Sequence, residues 1–330
     1  LTKILIIRFS SIGDIVLTTP VIRNLKEQMH GGVEIHYLCK AQFEGLLEHN
    51  PHISKLYTIE KSTNEVIDAL KAEEYHYVID LHRNLRSARV KAALKVLDFT
   101  FEKYNWQKWL LVNLGIDRMP HLHIVDRYMA TVTHFGIEND LKGLDYFLPE
   151  NELAPQPALP ESHRQGYIAM PIGAAHWRKR LRNGQYITLC KALNMPVLLL
   201  GGPGEQADGQ EIAAACGPLV HSLAGACSLH ASAWHVRESK LVITPDTGLM
   251  HIAAAFKKPI ISLWTATVPA FGMYPYLNGA LDLRVEPDHL RKRPCSKLGT
   301  RCLYKECRCV DELPLEHVWK AAIAQLDSVK

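Results

Sequence analysis

Short, nearly continuous apolar runs recur along the chain, each followed by a stretch with helical spacing. "KILIIRF" (3–9), "VEIHYLC" (33–39) and "YHYVIDL" (75–81) have the β-branched character of strands buried on both faces. Strands alternating with helices predict βαβ units, and hence a parallel sheet covered by helices. The alternation breaks at "PENELAPQPALP" (149–160), where four prolines in twelve residues favour an extended connector. It then restarts with "GYIAM" (166–170), "MPVLLLGG" (195–202), "LVHSL" (219–223), "KLVITPD" (240–246) and "KPIISLW" (258–264). The fold class expected is therefore α/β, with two Rossmann-like halves. The first spans 1–150, a proline-rich linker 151–165, the second half 166–312, and a helical tail 313–330. Loops at the carboxyl ends of parallel strands make the crevice between such halves the expected ligand site.

Composition narrows this without redirecting it. With 330 residues, 47% hydrophobic and 22% charged, the chain has the make-up of an ordinary globular enzyme. No apolar run approaches the roughly 18 residues of a spanning helix, and "KILII" is too short for a secretory signal, so a cytoplasmic location is expected. Eight cysteines in so long a chain read as thiols. A net charge of +4 permits an anionic substrate, and no aromatic-basic repeat points to nucleic acid.

Candidate chemistry sits in the loops. In "RFSSIGD" (8–14), Ser10, Ser11 and Gly13 allow a ligand close to the backbone. Asp14 has two readings, a helix-capping or first-turn acid and a general base. One glycine is too few for the dinucleotide fingerprint, which disfavours a dehydrogenase. In "LVITPDTGLMHIAAAF" (241–256), Asp246 and Thr247 are good capping residues, and the free N–H groups of Thr247, Gly248 and Leu249 form an anion site suited to a diphosphate. His251 lies one turn further on, either structural or facing that site. "GAAHWRKRLRNGQY" (173–186) offers Lys179, and "LLLGGPGEQ" (198–206) offers Glu205 for ribose hydroxyls. Arg83, Arg86 and Arg89 recur at helical spacing as a basic ridge or as a solvated face. "KYNWQKWLLVNLG" (103–115) mixes aromatics, lysines and apolar residues as an interfacial segment does, but a helix packed on its domain is the favoured reading. Cys295, Cys302, Cys307 and Cys309 cluster without the paired C-x₂-C knuckles of a zinc site, so no metal is assigned.

Taken together, "RFSSIGDIVLTTPVIRNLK", "VIDLHRNLRS", "HIVDRY", "RKRL", "LGGPGE" and "DTGLMHIAAAFKKPIISLW" resemble glycosyltransferase family 9, the ADP-heptose:lipopolysaccharide heptosyltransferases, over nearly the whole chain. The resemblance implies a GT-B fold with an acceptor-binding first half, a donor-binding second half and a tail helix that crosses back to the first. It implies inverting transfer of heptose from ADP-heptose to Kdo-lipid A or a heptosylated inner core, at the cytoplasmic face of the inner membrane, as a peripheral protein of lipopolysaccharide biosynthesis. Asp14 corresponds to the family's base, and Lys179 to its phosphate-binding lysine. Asp246, Thr247, Gly248 and His251 correspond to its donor-binding segment. Lys179 and the 247–249 amides would stabilise departing ADP, each preorganised donor being commonly worth about 3 kcal/mol. No cofactor is required, and stimulation by magnesium is left open. Leu181 stands where the family has tryptophan, and Thr265-Ala266-Thr267 stand where it often has glycine, on what the resemblance makes an acceptor-side loop. A sugar-nucleotide-binding protein without transferase activity and a GT-B epimerase are the alternatives.

Overall fold

Ile4, Leu5, Ile6 and Ile7 are wholly buried, as a strand covered on both faces requires. They form the centre of the first of two parallel sheets. The computed structural model describes residues 1–149, 159–277, 279–287, 290, 292–303 and 306–327, so residues 150–158 of the expected linker lie outside the described residues. The chain divides into two compact units, 1–104 with 122–147, and 105–121 with 148–330.

The first unit carries strands β1 (Thr2–Ile7), β2 (Val33–Lys40), β3 (Lys55–Ile59), β4 (Tyr77–Asp80) and β5 (Leu97–Thr100) in the order β3-β2-β1-β4-β5. All pairs are parallel, with Ile4 opposite Ile35 on one side and Tyr77 on the other. Its helices are α1 (Ile12–Val16), α2 (Thr19–Gln28), α3 (Ile67–Ala72), α4 (Leu85–Leu94) and, after α5 (Asn105–Leu114), α6 (Ile124–Met129). Strand order reverses between β1 and β4. The loops that leave these two strands, 8–11 and 81–84, therefore flank the crevice where doubly wound sheets bind ligands.

The second unit repeats the plan. β6 (Ile168–Pro171), β7 (Val197–Leu200), β8 (Val220–Ser222), β9 (Leu241–Pro245), β10 (Ile260–Leu263) and β11 (Asp282–Val285) form a parallel sheet in the order β11-β10-β9-β6-β7-β8. Its switch point lies between β6 and β9, so the loops after them, which hold Lys179 and Asp246, meet. Helices α7 (Asn183–Leu193), α8 (Gln206–Cys216), α9 (Leu229–Glu238), α10 (Gly248–Ala255), α11 (Arg308–Asp311) and α12 (Leu315–Asp327) complete it.

Two placements differ from the sequence expectation. Residues 105–121 group with the second unit. The tail helix α12 buries Val318, Ala322 and Leu326 in the second core, with Leu189 and Leu193 of α7, so its apolar face is spent there.

Candidate active site

Asp14 occupies the third position of α1, after the N-cap Ser11. Its Oδ2 accepts from the Ser11 N–H at 3.3 Å and from Ser11 Oγ at 2.9 Å, which stabilises the helix start. Its Oδ1 lies 2.7 Å from Arg8 Nη2. Arg8 is buried, and the rest of its fork is also committed. Nε donates to the Ser10 carbonyl at 2.7 Å, and Nη1 to the Leu81 carbonyl at 2.6 Å and Tyr128 Oη at 3.0 Å. Burial opposes the guanidinium charge, but Asp14 and the tyrosines around it hold Arg8 above its ordinary range. The β1 and β4 loops are thus pinned together around one carboxylate. The bonds to Ser11 are those of a helix-capping, first-turn acid, and the pair with Arg8 occupies the other carboxylate oxygen.

His82, from the β4 loop, packs edge-on against Phe9 with ring centroids 5.1 Å apart. Burial, then the charges of Arg8 and Lys103, push its imidazole down to about 4, so it is neutral at pH 7. Asp80 at the end of β4 accepts the N–H groups of His82 and Arg83 at 2.9 and 2.7 Å, which shapes this turn.

The three-arginine ridge is corrected. Asn84 caps α4 by accepting from the N–H groups of Arg86 and Ser87. Arg83 therefore precedes the helix, in a left-handed conformation (φ 52°), and its guanidinium reaches Glu102 and the Phe101 carbonyl. Arg86 and Arg89 alone share the exposed helical face.

In the second unit Lys179 Nζ lies 2.6 Å from Asp246 Oδ2, and Thr267 Oγ1 donates to the same oxygen at 2.9 Å. The neighbouring cations point elsewhere. Arg178 reaches the Thr300 carbonyl at 2.8 Å, and Arg180 lies 3.4 Å from Glu205 and 3.3 Å from Asp208. Leu181 is buried in the second core. Glu205 also accepts the Gly202 N–H at 3.0 Å and lies over Gly173, where a Cβ would come within 2.9 Å of its Oε2. Thr247 is the N-cap of α10, Gly248 and Leu249 open the helix half-buried, and His251 is buried in its second turn. A lysine and a helix N-terminus at one switch point make an anion site.

Three residues of these sites have no role in the sequence reading, although Arg8 and Tyr128 lie within its motifs: Arg8, Tyr128 and Arg293. Arg293 donates to the carbonyls of Trp264, Thr265 and Thr267, and Thr265 Oγ1 donates to the Arg178 carbonyl. The 264–267 loop is thereby fixed beside Asp246. Thr265 and Thr267, expected on an acceptor-side loop, contact the Lys179 turn and Asp246 instead. Arg8 had a legible signal, a charge at the end of an unbroken apolar run. The clustered cysteines are free thiols, and Cys302 neighbours both Cys295 and Cys307. Burial pushes the Cys309 thiol up to about 11.

The sequence model of glycosyltransferase family 9 (heptosyltransferase) matches residues 64–298. Lipopolysaccharide heptosyltransferase 1 of Campylobacter coli is 24% identical over 292 residues, covering 80% of this chain and 84% of that protein. The solved structure of Escherichia coli ADP-heptose lipopolysaccharide heptosyltransferase II superimposes with a TM-score of 0.73 at 19% identity, covering 99% of both chains. A family 9 glycosyltransferase from Veillonella parvula superimposes with a TM-score of 0.75 at 21% identity, covering 99% of this chain and 97% of that one. The fold, two parallel-sheet α/β units, is that of the GT-B glycosyltransferases.

Proposed function

Because the chain belongs to glycosyltransferase family 9, the heptosyltransferases, we propose that it moves a heptose from ADP-heptose to the Kdo or heptose inner core of lipopolysaccharide. The observation that carries the donor half is the Lys179 ammonium, 2.6 Å from Asp246 beside the N-terminus of α10. A diphosphate entering there meets a mobile cation and oriented amides in place before charge develops. Glu205, on the β7 loop, is assigned the ribose hydroxyls, and His251 supports the turn.

In the proposed step an acceptor hydroxyl oxygen attacks the anomeric carbon while the bond from that carbon to the diphosphate oxygen breaks. Its electron pair leaves with ADP, and Asp14 takes the hydroxyl proton, with inversion at the sugar. Arg8 keeps the carboxylate aimed, and Ser10, Ser11 and Gly13 let the acceptor approach. Arg86 and Arg89 suit an anionic acceptor, whose carboxylates and phosphates match guanidinium forks. The step needs no cofactor, since Lys179 and the α10 amides offset the leaving charge. Stimulation by magnesium is compatible with this step.

No helix among the described residues is long and apolar enough to cross a membrane. A peripheral position on the cytoplasmic face of the inner membrane fits a lipid-linked acceptor. Incubation with ADP-heptose, with and without Kdo-lipid A, tests the reading by ADP release. Acceptor-dependent release is expected. Binding without release would identify a sugar-nucleotide-binding protein, and donor turnover without acceptor an epimerase-like activity.

A further inference from the structure

Helix α5 is ten residues long, and none of its side chains is fully buried. A helix this short is marginal in water, and packing of an apolar face normally supplies its stability. The reading of this segment as a helix packed on its domain is therefore only half met, because its largest apolar groups face outward. Trp106 is 64% exposed and Trp109 47% exposed, and their rings stack with centroids 5.1 Å apart and planes 7° from parallel. Leu114 and Ile116 continue the exposed apolar surface just beyond them. At the other end of the helix, Lys297 Nζ donates to Asn105 Oδ1 at 2.9 Å, which ties the loop bearing the exposed Leu298 to the start of α5.

Charge selects the occupant. Residues 105–121 include two basic side chains, Lys108 and Arg118, and one acidic, and in the Lys297 loop Lys292, Lys297 and Arg301 are exposed. A second copy of the same surface would bring like charges together, which disfavours self-association through it. An anionic lipid surface has the complementary sign, and tryptophan rings favour the layer between acyl chains and water. We propose that α5 and the Lys297 loop form a docking surface for an anionic bilayer, with the Trp106–Trp109 pair entering the headgroup layer and the flanking cations facing lipid phosphates.

This deepens the proposed function, since a lipid-linked acceptor lies in such a surface, but its test needs no turnover. The full chain is sedimented with vesicles of phosphatidylcholine alone and with vesicles containing phosphatidylglycerol. Binding is expected only to the anionic vesicles, weakening as salt is raised. Replacing both tryptophans (Trp106→Ser, Trp109→Ser) should lower partitioning by about tenfold or more. The same variant should turn over a deacylated, water-soluble acceptor at the parental rate. Absence of binding to anionic vesicles, or equal binding by the variant, overturns the proposal. Lost turnover of the deacylated acceptor would place the tryptophans in the acceptor site instead. A dimer abolished by the substitutions would make a second copy the occupant. If the chain proves to transfer no heptose at all, vesicle partitioning still reads the docking surface by itself.

Discussion

Asp14 and Asp246 stand on opposite sides of the switch point in two sheets of one plan, Asp14 after the first strand of its sheet and Asp246 after the fourth, each within 2.7 Å of a cation. The cations differ in kind. Arg8 follows β1 directly, is buried, and spends its guanidinium on Asp14, Tyr128 and two backbone carbonyls. Lys179 lies on a short 3₁₀ turn, half-buried, and reaches Asp246 on a flexible four-carbon stem. An arginine held by its surroundings keeps one carboxylate aimed until it takes the acceptor's proton. A lysine held by an aspartate that also accepts from a threonine hydroxyl can be handed to an arriving diphosphate and taken back when it leaves. The first pair is suited to holding a base, the second to exchanging a ligand.

The substitution with the largest expected effect breaks the first pair. Asp14→Asn keeps the shape and an acceptor for Arg8 but removes the basic carboxylate, so the transfer rate should fall roughly 10²- to 10⁴-fold with ADP affinity unchanged. Stability should fall as well, because the buried Arg8 loses its counter-charge, at a cost of up to about 3–5 kcal/mol. Melting temperature, calorimetry with ADP and the ADP-release assay separate the two effects. A folded Asp14→Asn protein with full activity would remove Asp14 from the chemistry.

Lys179→Ala breaks the second pair and comes next. It deletes a cation and also uncovers the Asp246 carboxylate toward the diphosphate. The dissociation constant for ADP should rise roughly 10- to 100-fold, the span of one hydrogen bond to a charged group. Calorimetry decides it, and an unchanged affinity would move phosphate recognition off this lysine. Arg178 and Arg180 serve as controls, since their contacts with Thr300 and Glu205 predict smaller effects.

What could be read in the chain before its structure follows from how burial writes itself into sequence. The strands in the middle of each sheet are apolar on both faces and stood out as unbroken runs. Three of the four edge strands, β3, β5 and β11, face water on part of their surface and contain Lys55, Asp98 and Arg284, so they carry no such signal, whereas the edge strand β8 is legible as "LVHSL". The loops 8–14 and 246–249 were legible because tight turns and helix starts restrict residue type. Partnerships across sequence were not. Arg8 with Tyr128 spans 120 positions, and Lys179 with Asp246 spans 67, distances at which only the topology decides who meets whom. Arg83 misled because its spacing to Arg86 and Arg89 is helical, whereas the Asn84 cap starts the helix one residue too late to include it.

Thr267→Val gives the smallest expected effect and the sharpest view of the difference between the two pairs. The substitution keeps the β-branched shape and removes the hydroxyl that donates to Asp246 Oδ2 at 2.9 Å. Without that donor Asp246 leans more on Lys179, and the ammonium is less available to a diphosphate. A neutral hydrogen bond of this kind is worth about 1 kcal/mol, so KM for the donor should rise roughly fivefold while kcat stays near the parental value. Thr267→Ser restores the hydroxyl and should restore KM. If Thr267→Val leaves KM unchanged, or if it lowers kcat instead, the Lys179–Asp246 pair is as fixed as the one around Asp14, and the contrast between a held carboxylate and an exchangeable cation fails.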